Sequence, residues 1–280
     1  MRVDAPDRSP TAAELARCLA CAAALGGRPA CPRCGREHPD ADGILDAIDL
    51  PLAGTNRVAA AFYDGPGWAR FRPWERLFLT LQGGQNHARM QILRHLPAMP
   101  FARVLEVGIG DGDNLPLLPA GWDVYGVDIA RGRLEACRDR FPGMSGRLVW
   151  AEGEALPFPD ATFDAAYSIG GFNYFRDHAA ALRELRRVVL PGAATVVADE
   201  LPNLHHWTIG HWIGWPGLTA WFLRRVGLDA EFAAMVLAHR ASLDAIARAA
   251  WPGHRRYRIW NRLGYCLVDD GSVGEVPRCP

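Results

Sequence analysis

The sequence contains no lysine: all 31 of its Lys and Arg positions are Arg. So complete a replacement reads as base composition of the source genome, which makes a single Arg weaker evidence than usual for a purpose-built anion site. Net charge is also missing, at +0 with 31 acids against 31 bases. That balance disfavours a protein that grips nucleic acid chiefly through charge. Long clean apolar runs are absent too. The nearest, His205 to Leu223, carries three His, three Gly and one Pro, and is too polar and too interrupted for a transmembrane helix. The first ten residues are polar and no apolar stretch follows them, so a signal-peptide pattern is not present. The seven Cys include two CxxC pairs. Without a secretory signal, these point to metal rather than disulfides and to a cytoplasmic protein. The 280 residues, 49% of them hydrophobic, suffice for one large domain and a small appendage.

Four zones follow along the chain. Residues from about 15 to 50 hold the Cys pairs. A helical, aromatic zone from about 55 to 98 holds Phe62, Tyr63, Trp68, Phe71, Trp74 and Phe78. From Arg103 to about Glu200, short apolar runs alternate with amphipathic stretches, the pattern of a parallel sheet with helices on its faces. Strands are expected at 103–107, 123–127, 148–151, 163–168 and 194–198, with helices at 131–140 and 179–189. Leu190-Pro191-Gly192 ends the second of these helices with a breaker and a turn residue. A Trp- and His-rich segment and a helix follow, over about 201–250. Tyr257 to Trp260 and Tyr265 to Val268 then flank a short turn, as an antiparallel hairpin closing the sheet edge.

The first strand ends at Glu106 and runs into Gly108-x-Gly110-x-Gly112. Glycines there permit a tight turn and let backbone N–H groups approach a ligand closely. The spacing is GxGxG rather than the GxGxxG of dinucleotide folds, with an acid two residues before the first Gly. S-adenosylmethionine (SAM) has no pyrophosphate to hold, and an acid at the strand end can receive its cationic amine instead. The second strand ends at Asp128, where a carboxylate can accept both ribose hydroxyls, or alternatively cap the helix that follows. Third in order comes Ala151-Glu152-Gly153-Glu154-Ala155-Leu156-Pro157-Phe158-Pro159-Asp160, then Phe163-Asp164.

These residues resemble class I SAM-dependent methyltransferases, over roughly residues 60 to 268. The resemblance implies an α/β, Rossmann-like fold with a seven-stranded sheet. It also implies that Glu152 contacts the adenine amino group and Gly153 the ring through its N–H, with Glu in place of the family's usual Asp. Ile129, next to Asp128, and Ser168, at the end of the fourth strand, complete the cofactor contacts. Leu190-Pro191-Gly192 matches the family's Leu-Lys-Pro-Gly-Gly turn without its Lys and second Gly. Phe172-Asn173-Tyr174-Phe175-Arg176-Asp177, the run Ala181-Leu182-x-Glu184 and the hairpin around Leu263-Gly264-Tyr265 are similar to the menaquinone/ubiquinone C-methyltransferase group. The segment after the fifth strand departs from that group, so a quinone is one option among acceptors.

Cys18-x-x-Cys21 and Cys31-x-x-Cys34 offer four thiolates for one tetrahedral, structural Zn2+. Redox or unliganded thiols are the alternative. The run from Cys34 to Leu45 resembles small zinc-ribbon proteins that activate RNA and release-factor methyltransferases, and the N-terminal zinc finger of certain ribosomal-RNA guanine methyltransferases. Four Cys close the site, which leaves His38 as a surface residue and Cys137, Cys266 and Cys279 as free thiols. The chain thus divides into a zinc ribbon at 1–50 and a methyltransferase domain at 51–280.

Methyl transfer is an in-line displacement at a sulfonium carbon, and a base is needed only if the acceptor must lose a proton. His205 or His206 is the first choice for that base, with Tyr174 as an orienting hydroxyl; the alternative is that the His pair caps or lines a loop. The Trp-rich segment with Trp207, Trp212, Trp215 and Trp221 either lines an apolar pocket, lies at a membrane surface, or packs as a buried lid. Arg224, Arg225, Arg240, Arg248, Arg255, Arg256, Arg258 and Arg262 make the C-terminal part locally basic. The expected enzyme methylates a small, largely apolar acceptor on carbon or oxygen. Its rivals are an RNA base methyltransferase docking through the ribbon, a non-catalytic SAM-binding scaffold, and a SAM enzyme of other chemistry such as cyclisation. Nucleic acid is the less favoured partner, because residues 1 to 50 are not notably basic. Oligomeric state is left open.

Overall fold

A computed structural model describes residues 9–202, 209–238 and 243–271. The seven strands expected from the sequence are all present. They are β3 (Ala102–Val107), β4 (Trp122–Asp128), β5 (Leu148–Trp150), β6 (Phe163–Ile169), β7 (Val189–Glu200), β8 (Arg255–Ile259) and β9 (Gly264–Asp269). Two short N-terminal strands, β1 (Asp40–Ala41) and β2 (Ile44–Asp46), extend the sheet to nine in the order β1-β2-β5-β4-β3-β6-β7-β9-β8. The expected seven-stranded sheet is therefore wider by two. The addition pairs β2 parallel to β5, through Ile44 with Leu148, Leu45 with Val149 and Asp46 with Trp150. β9 runs antiparallel to both β7 and β8, so the hairpin closes the far edge as expected.

β3 is central because its residues are buried almost throughout, as a strand covered on both faces requires. Alternating side chains feed two cores. Leu105, Val107, Tyr125 and Val127 pack on one face, Val104 and Val124 on the other. The first core also takes in Ala12, Ala16, Cys18, Leu25 and Leu45 from the N-terminal segment. The order runs outward from β3 in both directions, so the chain reverses its winding between β3 and β6. A crevice at the carboxyl ends of those strands follows from that reversal.

Helices cover the sheet. α1 (Ala12–Leu15) is a single turn with a capping box between Thr11 and Glu14. The aromatic zone forms α2 (Gly54–Asp64), α3 (Pro66–Leu81) and α4 (Gln85–Leu93). α5 (Arg131–Arg140) follows β4, and α6 (His178–Val188) precedes β7. α6 starts where the Asp177 side chain accepts the Ala180 N–H, and buries Ala181, Leu182, Leu185 and Val188 along one face. Leu190-Pro191-Gly192 lies in β7 rather than in a turn: the helix stops at Val188, and the register against β6 shifts between Phe163 and Ala165 to absorb the irregularity. α7 (Ile209–Trp212), α8 (Pro216–Arg225), α9 (Ala230–Ala238) and α10 (Leu243–Ala250) complete the chain. α2 and α9 meet in a third apolar cluster around Val58, Phe62 and Phe232, with Tyr174 packed against it.

Candidate active site

A cavity of about 1230 Å³ opens where β3, β4, β6 and β7 end, roofed by α2, α3, α8 and α9. Its floor is the glycine loop. Gly108 and Gly110 have φ of +78° and +54°, which favour glycine, and a Cβ on Gly110 would meet nothing within 4 Å. That open space beside bare backbone is a cradle for a ligand. Gly112 does different work. Its added Cβ would strike Leu115, Cys137 and Phe141 at 2.8–3.0 Å, so it packs the loop onto the fold and does not border the cavity.

Glu106 is fully buried at the end of β3. It accepts hydrogen bonds from Asn114 Nδ2 at 2.6 Å and from the Tyr167 hydroxyl at 2.7 Å. Burial pushes its carboxyl up to about 7, against the pull of these two donors. At the end of β4, Asp128 accepts the Gly110 N–H at 2.8 Å and the Ala130 N–H at 2.9 Å, and burial pushes it up to about 6. Asp128 thus braces the start of α5 and borders the cavity at once. Ile129 borders the cavity beside it.

On the next loop Gly153 lines the cavity, and a Cβ there would collide with the Phe175 ring at 2.7 Å. Glu152 accepts a 2.7 Å hydrogen bond from Asn56 of α2 and stands behind the lining. Ser168 is buried, with an Oγ that lacks a hydrogen-bond partner, as does Asn114 Oδ1. The carboxylates, the bare backbone and these two unsatisfied oxygens fit the polar, cationic part of SAM.

The structure adds residues that the sequence reading missed. Asn56 joins Glu152 and Glu154 and accepts the Arg176 N–H at 2.9 Å, tying α2 to the loops after β5 and β6. Glu154 borders the cavity and is pushed up by burial. Asp111 and Asp113 are held by Arg72, Arg89, Arg133 and Arg140, which pins the glycine loop to α3, α4 and α5. None of these has a periodic or short-range signature; only the excess of acids in Asp111-Gly112-Asp113 hinted at arginine partners.

At the other end the walls turn aromatic. Phe62 stacks on Phe232 with ring centres 4.0 Å apart, and Tyr174 lies 4.9 Å from Phe232. Tyr174 donates to Glu200 Oε1 at 2.7 Å, and Tyr63 lines the same cavity. Burial and the acids Glu200 and Asp199 hold both tyrosines well above their usual range. Asp199 is buried, receives the Asn173 N–H at 2.8 Å, and is pushed well up by burial and by Glu200. His205 and His206 lie outside the described residues, as do Trp207 and Cys279.

Away from the cavity, the ligand atoms of Cys18, Cys21, Cys31 and Cys34 lie within 4.8 Å of one another. Two isolated bridges, Arg17 with Ala24 and Ala30 with Glu37, frame the two CxxC turns. His38 is not the surface residue expected: it is 1% exposed, with Nδ1 3.3 Å from the Asp46 carbonyl, because β2 packs against the sheet and covers it. Cys137 and Cys266 are free and buried, their thiols pushed up to about 12 by burial.

Comparison with known proteins agrees with this geometry. Residues 105–197 match a family model described as a methyltransferase domain. A demethylmenaquinone methyltransferase of Thermus thermophilus is 38% identical over 36% of this chain and 48% of its own length. An O-methyltransferase of Pyrenophora dematioidea is 28% identical over 43% of this chain and 47% of its own. The chain spans about half the length of these curated relatives. A solved structure of a putative SAM-dependent methyltransferase from Methanococcus maripaludis superposes with a TM-score of 0.48 at 13% identity, covering 82% of this chain and 99% of that one. The matched segment runs from Leu105 in β3 to Val197 in β7 and contains the glycine loop, so this part of the chain is similar to a methyltransferase domain.

Proposed function

We propose that the chain transfers the methyl group of SAM to a small, largely apolar acceptor, on carbon or oxygen. The observation that carries this reading is the two-ended cavity, with acids and bare backbone at the β3–β4 end and stacked aromatic rings at the α2–α9 end. SAM, when bound, supplies an electrophilic methyl on a sulfonium. Glu106 would receive its amine, with Asn114 and Tyr167 orienting the carboxylate. Asp128 and Ile129 would meet the ribose. Gly153 would meet the adenine ring, with Glu152 held in place by Asn56. Gly108 and Gly110 would admit the methionine backbone, and Ser168 would meet it from β6, with Gly112 supporting from behind. The aromatic wall would hold the acceptor and exclude water. For an acceptor that loses a proton, Glu200 is the carboxylate aimed at this end, and Tyr174 orients it. His205 and His206 keep their place as candidate bases.

The four Cys would hold a structural Zn2+. Because the ribbon donates apolar residues to the main core, its role is read as bracing the sheet edge rather than docking RNA. The test is transfer of labelled methyl from SAM to panels of quinols, phenols and bulk RNA. Label is expected in the apolar extract. Turnover on RNA alone would sink the small-molecule reading.

A further inference from the structure

The segment after β7 leaves a surface that methyl transfer does not use. Trp212 is 76% exposed, Trp215 61% and Trp221 56%, with Ile209 and Ile213 beside them. Burying such rings is worth far more than leaving them in water, so an uncovered cluster of this kind marks a contact surface. Its charge is one-sided. From Leu201 to Leu228 there is no Asp or Glu, and α8 ends in Arg224 and Arg225, both exposed and neither paired with an acid among the described residues. Among the described residues no helix is long and apolar enough to cross a membrane.

We infer that α7 and α8 form a docking surface for an anionic phospholipid bilayer. Three observations favour this occupant. Trp is the side chain suited to the headgroup boundary, with an apolar body and one polar N–H. The acid-free stretch closed by Arg224 and Arg225 complements anionic headgroups. The same helix also reaches the cavity: Phe222, half in solvent, and Leu223 line it one and two positions after Trp221. An apolar molecule dissolved in the bilayer would therefore meet the cavity wall where the protein rests on the membrane. A second copy of the chain fits less well, since a two-fold contact would bring this acid-free, arginine-bearing face against itself.

The test is co-sedimentation of the full chain with phosphatidylcholine vesicles, with and without phosphatidylglycerol, followed by Trp fluorescence with brominated lipid. Binding is expected only with the anionic lipid, weakening as salt rises, with quenching of Trp emission. Arg224→Gln and Arg225→Gln should each weaken binding about five-fold. Trp212→Ser and Trp221→Ser should each weaken it roughly tenfold, because part of each ring would no longer leave water. All four positions stand outside the cavity, so affinity for S-adenosylhomocysteine and the melting temperature should hold in every variant and certify the fold. Failure to bind anionic vesicles overturns the inference. So does equal binding by intact, folded variants, or concentration-dependent dimerisation that Trp212→Ser abolishes in the absence of vesicle binding. No readout measures methyl transfer, so the outcome is independent of the acceptor assigned above.

Discussion

Glu106 and Asp128 sit at the ends of adjacent strands with carboxyls raised to about 7 and about 6, from ordinary values of 4.5 and 3.8. A raised carboxyl binds its proton more tightly in the folded state than in the unfolded one. The stability it contributes is complete below its ordinary value, and is lost as pH rises through the folded value. The free protein should therefore lose stability between about pH 4 and pH 7, a trend visible in denaturant midpoints across that window. A cationic ligand favours the ionised acid, so SAM affinity should rise with pH up to about 7 and then level off. Glu106→Gln should remove most of that slope and weaken SAM roughly tenfold or more, as loss of a charge-assisted hydrogen bond implies. Calorimetric titration at several pH values checks both; an unchanged slope in the variant would place the titrating group elsewhere. The glycines divide by the same logic. Gly112→Ala meets three side chains and should cost about 1–3 kcal/mol of stability. Gly110→Ala meets none, so its clearer effect should be on SAM affinity, through the methyl group it places in the cradle. Parallel thermal melts and binding titrations of the two variants separate these roles.

Among the elements, those legible in sequence were those whose own residues decide them. β3 and β4 are mostly apolar, each with an acid in its last two residues, and α5 falls at Arg131–Arg140 as its neighbours dictate. β1 and β2, of two and three residues, were not legible, because nothing local distinguishes them until β5 offers them an edge. Asn56 was equally silent: its partner Glu152 lies far along the chain, and a polar residue on an aromatic helix has no periodic signal. The Trp segment left three readings open in sequence, and the exposure of Trp212, Trp215 and Trp221 argues against a buried lid for those residues. Pairing of β2 with β5 makes a further outcome checkable. If the four Cys hold Zn2+, each Cys→Ser variant should carry less than one equivalent of zinc by elemental analysis. Amide exchange should then quicken at Ile44–Asp46 and at the paired Leu148–Trp150, while β6 and β7 keep their protection. Full zinc content in the variants would contradict the assignment of ligands.

At the scale of the whole molecule, the question is whether residues 1–50 behave as a separate unit. Composition suggested a boundary near residue 50. The packing runs across it, since Ala12, Ala16, Leu25 and Leu45 share one core with Leu105, Val127 and Trp251. A shared core predicts shared cooperativity. Ligands of the two sites should then move one transition together. S-adenosylhomocysteine at a hundred times its dissociation constant adds about 2.7 kcal/mol, or roughly 5–10 °C in a domain of this size. Strong chelation should pull that same transition down, because the ligand-bearing turns rest on the sheet edge. Scanning calorimetry of the free, ligand-bound and chelated protein decides the matter. One peak that rises with the cofactor product and falls with the chelator fits a ribbon built into the fold. Two peaks, each answering to only one of these agents, would restore the boundary near residue 50 and reduce the β2–β5 pairing to a weak contact between independent units.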